Sequence, residues 1–315
     1  MTGYLIRRLG TAIIVVLGVT LATFMMLHYI APSPAIMQLG PKATPAAIKA
    51  YNHLNGYDRP VWRQFISYIN QVVHGNFGWS YKNNQSVDAI FSERAPLSVF
   101  LSGTSLVISI VIALPLGIYQ AVKRNSFGDV AATTLTFIFY SMPLFLFALL
   151  LVDVFALQLH WVDPLIGGNQ SLSGALAVPK DLILPLVALS LTNIASFSRF
   201  QRSSALDVLA QDYIKVARAK GLSDRLVYSR HLIRNAALPM VTLIGLSIPA
   251  LVAGNLLIEN VFNIDGLGLT FINSLSNDDY NLLVGYTLLT AILTVVGNLI
   301  ADIALTITDP RIRLV

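Results

Sequence analysis

The sequence contains no cysteine, and charged residues make up only 12% of its 315 residues. The lack of cysteine excludes disulfides, thiolate catalysis and cysteine-ligated metal sites. Soluble globular domains carry about 25% charged residues, so the scarcity of charge argues against a soluble protein. Hydrophobic residues instead reach 55%, and the mean hydropathy is +0.67. The composition therefore predicts an integral membrane protein built as a single helical bundle.

Motifs for catalysis and nucleotide binding are missing as well. The sequence has no Gly-Lys dipeptide, which a phosphate-binding P-loop requires. It also lacks the Gly-x-Ser-x-Gly turn that holds a serine nucleophile. The five histidines are scattered and form no His-x-x-x-His pair, so we expect no dedicated metal site. We therefore expect a protein that is not an enzyme and binds no cofactor of its own.

Six apolar segments are long enough to cross a bilayer, which takes about 20 residues of helix. The first is longer than the 7–15 residue core of a typical secretory signal, so we expect it to remain as a membrane helix. We predict an all-α integral membrane protein with six transmembrane helices and no internal repeat. The predicted spans are Leu9–Ile30, Phe100–Ala121, Val130–Leu157, Leu182–Arg199, Leu238–Ile258 and Leu282–Ile307.

The basic residues predict how the spans are oriented. Short cytoplasmic loops are enriched in Lys and Arg, and 14 of the 21 such residues lie in four segments that six alternating spans place on one side. Both termini are therefore predicted to be cytoplasmic. The four segments are the N-terminus with Arg7 and Arg8, the connection with Lys123 and Arg124, the stretch Arg199–Arg234, and the tail with Arg311 and Arg313.

The chain divides into residues 1–30, an external loop domain 31–96 and a core 97–315 that includes a cytoplasmic loop 200–237. The external loop is long and polar enough to fold, with a helix expected near Ala46–Leu54. In "RPVWRQFISYINQVV", apolar residues recur every three or four positions, which predicts an amphipathic helix. Such a helix could pack on the outer mouth of the bundle, dock an extracytoplasmic partner, or do both.

The most charged stretch is "DYIKVARAKGLSDRLVYSRHLIRNAALP", which begins at Asp212 and contains six Lys or Arg residues. Gly221 stands where a glycine commonly ends a helix. Ser223 can cap a second helix that begins near Asp224. Pro239 then falls in the first turn of the next span, where proline is tolerated. The pattern predicts two short helices that meet at a glycine.

In the second of these helices, Leu222, Leu226 and Ile233 are expected to share one apolar face. An ordinary loop lying on anionic lipid would explain the positive charge. It would not explain the helix–glycine–helix pattern, because a lipid-facing loop needs no such turn. We therefore favour a rigid projection that fits a groove on a protein partner.

Motifs along the whole chain resemble one family. "DYIKVARAKGL", "HLIRNAALP", "YLIRRLGTAI", "GYDRPVWRQFISYINQVVHGNFGWS", "ENVFNIDGLG" and "DPRIRL" are similar to segments of permease subunits of ABC importers, in the dipeptide/oligopeptide/nickel branch. The resemblance implies a type I importer permease fold in the bacterial inner membrane. It also implies a homologous second permease, two ATPase subunits that bind ATP and Mg, and an extracytoplasmic substrate-binding protein. No nucleic acid is implied.

The sequence departs from the family pattern at two places. The general importer motif begins Glu-Ala-Ala six residues before its glycine, whereas this chain has Lys215, Val216 and Ala217 there. After the first span the family usually has a Gly-Asp-Pro turn, and this chain has "APSPA". A role of that aspartate at the outer mouth is therefore not carried over.

The resemblance assigns three groups of residues. Those expected to contact an ATPase are Asp212, Tyr213, Lys215, Ala217, Arg218, Ala219, Lys220, Gly221, Leu222, Ser223 and Asp224. Those expected to support this segment are His231, Arg234, Asn235 and Pro239. Candidates for the pore or outer gate are Gly245, Pro249, Gly254, Asn255 and Glu259. The small residues of the fifth span could serve close helix packing, a flexible pore-lining helix, or both.

Two acids lie inside predicted spans, where ionisable residues are functional candidates. Asp153 could face a water-filled path or reach the membrane interface, and we favour the interface. We expect Asp302 to pair with a neighbouring helix or polar group and not to contact substrate. One alternative to a peptide importer subunit is a secondary transporter driven by an ion gradient, and another is a membrane-embedded enzyme. Within the family, a subunit for nickel chelates or glutathione is a further alternative, because the sequence does not reveal the substrate.

Overall fold

The structure is a computed structural model, and it describes residues 2–30, 34–40, 42–80, 82–164, 171–253 and 255–308. Helices dominate these residues, joined by short loops and by one small antiparallel hairpin. The elements of the N-terminal part are α1 (Thr2–Ile30), α2 (Pro34–Leu39), α3 (Pro45–Asn55), α4 (Val61–Val73), β1 (Trp79–Ser80), β2 (Gln85–Ser86) and α5 (Val87–Val122).

Among the described residues of the rest of the chain, all regular elements are helices, and two of these helices continue into π turns. Its elements are α6 (Phe127–Ser141), α7 (Leu144–Leu151) with a π turn Val152–Gln158, α8 (Leu172–Ala177), a 3₁₀ turn Pro179–Leu182, α9 (Ile183–Leu209), α10 (Asp212–Ala219), α11 (Asp224–Val227) with a π turn Tyr228–Leu232, α12 (Ile233–Ala236), α13 (Leu238–Ala253), α14 (Leu256–Val261), α15 (Leu267–Ser276) and α16 (Tyr280–Thr308).

The number of membrane spans agrees with the prediction. Four helical segments are long and apolar enough to cross a bilayer alone, and the total reaches six when each of two bent helix pairs counts as one span. The four are Gly10–Tyr29, Val87–Val122, Pro179–Leu209 and Tyr280–Ile300. The bent pairs are Phe127–Ser141 with Leu144–Gln158, and Asp224–Ala236 with Leu238–Ile248.

Two predicted spans are not continuous helices. The third bends by 102° between α6 and α7, because Pro143 disfavours the helical conformation of Met142, which is extended. The fifth was predicted to run to Ile258, but α13 ends at Ala253 and Asn255 starts α14 with an extended backbone. Gly254 lies outside the described residues.

Helix α5 is the central column of the bundle. Its 36 residues correspond to about 54 Å, so it begins well before the predicted second span and runs through the proposed boundary at residue 96. It packs along most of α9. Gly117 allows the close approach, because a Cβ there would come within 2.6 Å of both Gln201 Cβ and Ser198 O. Helices α13 and α1 both pack on α16.

The external segment folds into helices, as predicted. Helix α3 is capped by Thr44, whose hydroxyl accepts the Ala47 N–H at 3.3 Å. Helix α4 packs on α1 through an edge-to-face contact of Phe65 with the buried Phe24, with ring centroids 5.5 Å apart. This contact agrees with packing on the bundle's mouth. Docking of an extracytoplasmic partner stays a prediction.

The β1–β2 hairpin is tied to the start of α16 by a buried carboxylate. The Ser80 hydroxyl donates to Asp279, and both side chains are buried. The Asn281 amide donates to the Trp79 carbonyl at 2.9 Å. Burial raises the pKa of the Asp279 carboxyl, although the hydrogen bond from Ser80 acts in the opposite direction.

This raised pKa predicts that the hairpin is held more firmly at acidic pH. Because folding favours protonated Asp279, its stabilising contribution is complete below the ordinary Asp pKa of about 3.9 and is lost as pH rises through the folded-state pKa. Hydrogen exchange of residues 79–86, corrected for intrinsic rates, should show protection falling with pH. Asp279→Asn should remove that trend, and an identical pH trend in the variant would contradict the assignment.

Candidate functional site

The charged stretch forms a compact projection of two arms, here called the coupling segment (residues 212–237). Helix α10 ends at Ala219, and Gly221 two residues later adopts the left-handed conformation with φ +81°. The Gly221 N–H donates to Arg218 O at 2.9 Å, and the Leu222 N–H donates to Ala217 O at 3.3 Å. These two bonds form a Schellman motif, which stops the first arm and turns the chain toward the second.

Ser223 occupies the predicted capping position but does not cap with its side chain. Its backbone is extended, and the structure shows no capping bond from its hydroxyl. Its carbonyl instead accepts the N–H groups of Leu226 and Val227 at 2.9 and 3.0 Å. The predicted side-chain cap is therefore wrong, although the start of the helix is right.

The buried face of the second arm also differs from the predicted one. Leu226 and Ile233 are 42% and 44% exposed, whereas Val227 and Leu232 are fully buried. The reason is the π turn at Tyr228–Leu232: its hydrogen bonds span five residues, so the side chains rotate relative to an α-helical pattern. Of the three residues predicted to form the apolar face, only Leu222 packs against the buried cluster of the segment.

Two small clusters make the arms rigid. Ile214 and Ala217 of α10 pack against Val227 of α11. Leu232 and Ala236 pack against the C-terminal ends of α5 and α9. Buried packing resists deformation. These contacts therefore connect the two arms rigidly with helices α5 and α9.

The outward face of the coupling segment mixes cations with apolar side chains. Tyr213, Val216 and Leu226 are 42–52% exposed. Arg218 joins the arms, with its Nε 3.3 Å from Asp224 Oδ1 and one terminal nitrogen donating to the Tyr228 hydroxyl at 3.4 Å. Such a face suits a groove on a protein partner, since interface cores favour aromatic residues and Arg.

The remaining predicted residues of the segment have different surroundings. Lys215 donates to Asp212 at 2.8 Å, and this bond lowers the pKa of the Asp212 carboxyl. Ala217 is buried, so it supports the segment instead of contacting a partner. Asn235 donates to the His231 carbonyl at 2.7 Å. The other predicted residues Ala219, Lys220, Arg234 and Pro239 are exposed, with Pro239 in the first turn of α13.

A charge pair at the base of the segment was not predicted. The Asp129 carboxylate in the first turn of α6 is 3% exposed and accepts two bonds from Arg202 of α9, at 3.1 and 3.0 Å. Thr133 and the Asn125 N–H complete its coordination at 3.1 and 2.9 Å. The acid after the helix-capping Ser126 could be noticed in the sequence, but its partner 73 residues later could not.

At the opposite end of α5, Glu259 anchors α14 and α15. Its carboxylate is 2% exposed and accepts the N–H groups of Gly268 and Leu269 at 2.7 and 3.1 Å, in the first turn of α15. It also accepts the Ser98 hydroxyl of α5 at 2.8 Å. A carboxylate at a helix N-terminus is favourable. Glu259 therefore holds α14, α15 and α5 together as a buried group, and it is not available on the surface for contact with a partner.

The other pore candidates and intramembrane acids are distributed as follows. The Asn255 side chain caps α14 by accepting the Ile258 N–H at 3.2 Å. Gly245 is buried in α13, and Pro249 continues that helix. Asp302 pairs with Arg8 of α1 at 2.7 Å, as predicted. Asp153 is exposed and accepts a bond from Gln158, which is compatible with an interfacial position. The tail motif "DPRIRL" lies outside the described residues.

The glycines of the Glu259 motif give a sharp test of this anchor. A Cβ on Gly266 would come within 2.5 Å of Glu259 Oε2, so Gly266→Ala should destabilise the protein by about 1–3 kcal/mol, the usual cost of overpacking. Thermal unfolding in detergent measures this loss. Gly103→Ala is the matched control, because its Cβ would meet nothing within 4 Å. Equal melting temperatures for the two variants would contradict the anchor.

The fold and the coupling segment together define a polytopic helical membrane protein with a compact two-armed projection. Comparison with known families makes this specific. The chain belongs to the family of binding-protein-dependent transport system inner membrane components, whose model matches residues 113–314, and the N-terminal model of the same family matches residues 1–102.

Relatives match over nearly the full length. The Oligopeptide transport system permease protein AppB of Bacillus subtilis (strain 168) is 34% identical, with 99% of this chain and 100% of that protein covered. The Dipeptide transport system permease protein DppB of Escherichia coli (strain K12) is 33% identical, with 99% of each covered. The resemblance to importer permease subunits is thereby confirmed.

The fold also matches a solved transporter. A chain from inward-facing conformations of the MetNI methionine ABC transporter aligns with a TM-score of 0.52 and 18% identity, covering 68% of this chain and 94% of that one. At this identity the match establishes the fold alone. It confirms the predicted importer permease fold.

Proposed function

We propose that this chain forms half of the transmembrane pathway of an ATP-driven importer for short peptides. A related permease supplies the other half, a substrate-binding protein delivers the peptide from outside, and ATPase subunits bind the coupling segments. The chain itself hydrolyses no ATP. In this assignment both termini and the coupling segment face the cytoplasm across a bacterial inner membrane.

The observation that carries the proposal is the coupling segment. Its two arms share a buried core and are joined by Arg218, while Tyr213, Val216 and Leu226 are 42–52% exposed. Exposed aromatic and Arg side chains on a rigid projection suit a protein interface. The peptide substrate is supported by the relatives, several of which are named as oligopeptide or dipeptide permeases.

In this proposal, closure of the ATPases reaches the pathway through the helices packed around the coupling segment. Displacement of α10 carries α11 and α12 with it, because the arms share buried contacts with α5 and α9. The Asp129–Arg202 pair adds α6 to this moving unit. Helix α5 then reaches the outer end, where Ser98 contacts Glu259 and Arg94 pairs with Asp265. A tilt of α5 therefore shifts both ends of the bundle.

Gentle purification of the tagged chain from its native operon, followed by mass spectrometry, tests the composition. Co-purification of a second permease and P-loop ATPases is expected. Uptake by right-side-out membrane vesicles loaded with ATP, or by reconstituted vesicles that contain ATP, tests the energy source: it should require ATP and survive a proton ionophore. A chain that purifies alone and whose transport the ionophore abolishes would establish the ion-driven alternative instead.

Substrate class is tested separately with the assembled transporter and its own binding protein. Uptake of a labelled dipeptide should be saturable and should be displaced by other short peptides. Uptake of a nickel chelate or of glutathione without dipeptide uptake would retain the importer and overturn the peptide assignment.

A further inference from the structure

A cavity of the size of a small-molecule site lies in the external segment. It has a volume of about 520 Å³ and is enclosed by the end of α1, helices α3 and α4, the hairpin and the first turn of α16. Small-molecule sites commonly have volumes of about 300–1,000 Å³. Its base includes the buried ring of Phe24, whose carbonyl accepts the Tyr280 hydroxyl at 3.1 Å.

Two polar atoms at this cavity lack partners. The Tyr68 hydroxyl and Asn52 Oδ1 are inaccessible to solvent, and neither makes a hydrogen bond within the described part of the chain. Burial also raises the pKa of Tyr68, which keeps its hydroxyl protonated and able to donate. Buried polar groups in native proteins are nearly always paired, so unpaired ones indicate bound water or a ligand.

The charges around the cavity have one sign. Among its described lining residues, His28, Arg59 and Arg63 are the basic side chains, and none is Asp or Glu. Neither arginine forms an ion pair within the described residues, and the neighbouring Asp58 is paired with His53 at 2.8 Å. Guanidinium groups bind carboxylates and phosphates through paired hydrogen bonds.

We propose that this cavity binds a small molecule carrying both an oxyanion and an N–H or O–H donor. Arg59 and Arg63 hold the oxyanion. Rotation of the Tyr68 and Asn52 side chains, both of which line the cavity, lets the Tyr68 hydroxyl donate to one of its oxygens and Asn52 Oδ1 accept from the donor group. A short peptide and a phosphoethanolamine lipid headgroup share this chemistry. The site is independent of the proposed function, since either molecule fits the same groups.

The test uses the assembled transporter in nanodiscs, without its soluble binding protein. Two probes are used: radiolabelled alanyl-alanine in phosphatidylcholine nanodiscs, and native mass spectrometry of lipid retained from phosphatidylethanolamine nanodiscs. Saturable dipeptide binding indicates a peptide, and retained phosphatidylethanolamine indicates a headgroup. Either result supports the site, provided that Arg59→Gln with Arg63→Gln weakens binding about tenfold or more, as expected for charge-assisted bonds.

Matched variants separate the cavity from its surroundings. Tyr68→Phe, which removes one hydroxyl, should weaken binding by a smaller factor of about three to tenfold. Lys49→Gln removes an exposed charge from α3, and Tyr29→Phe removes an exposed hydroxyl from α1; both side chains lie outside the cavity and should have no effect. Failure of both probes to bind, or equal binding by the arginine variant and Lys49→Gln, would overturn the proposal.

Discussion

Asp129→Ala is expected to destabilise the protein by about 3–5 kcal/mol, the cost of leaving one member of a buried ion pair alone. Arg202 would lose both of its bonds to the carboxylate. The Asn125 N–H and the Thr133 hydroxyl would lose an acceptor as well. Because the pair joins α6 to α9 at the base of the coupling segment, we also expect weaker stimulation of ATP hydrolysis by substrate.

Thermal or denaturant unfolding of the single variants and of Asp129→Asn with Arg202→Gln measures this contribution. The double variant should recover part of the loss, because it removes both charges together, and the resulting cycle gives the coupling energy of the pair. Asp207→Ala, an exposed acid on α9, is the matched control. A melting curve of Asp129→Ala like that of Asp207→Ala would show that the pair does not hold the helices.

Gly221→Val is expected to abolish most of the coupling between ATP hydrolysis and transport while leaving the membrane helices folded. A side chain in the left-handed conformation costs about 1–2 kcal/mol, and a β-branched residue is the least suited to it. The cost falls on the turn between the arms, where Gly221 has φ +81°. Relief of this strain would change the angle between α10 and α11.

Coupling is measured as substrate-stimulated ATPase activity of the reconstituted transporter, beside its basal activity and its uptake rate. Gly221→Asn is the control, because asparagine tolerates the left-handed conformation better than other non-glycine residues. Arg218→Glu should add to the defect by breaking the contacts with Asp224 and Tyr228. Intact coupling in a Gly221→Val, Arg218→Glu double variant would contradict the assignment of this segment as the contact that couples the ATPases to transport.

The two predictions rest on different kinds of feature: Gly221 is a local signal that ends a helix, and Asp129 pairs with a residue distant in the sequence. Only the first could be predicted from the sequence. Gly221 was recognisable because a glycine ending a helix acts on the three or four residues beside it. Arg202 was visible only as one cation among many in a basic stretch. The Glu259 motif was recognised, yet its contacts with Ser98 and the first turn of α15 could not be inferred.

The sequence by itself determined the features that depend on neighbouring residues: six apolar spans, an amphipathic external helix and a glycine turn between two short helices. Hydrophobic length and helix stop signals act locally, so they can be read directly. The tertiary structure alone decided the face buried after the π turn, the Asp129–Arg202 pair and the external cavity. These features depend on which distant segments of the chain meet. Local sequence signals do not specify those contacts, and the packing of the whole bundle selects them.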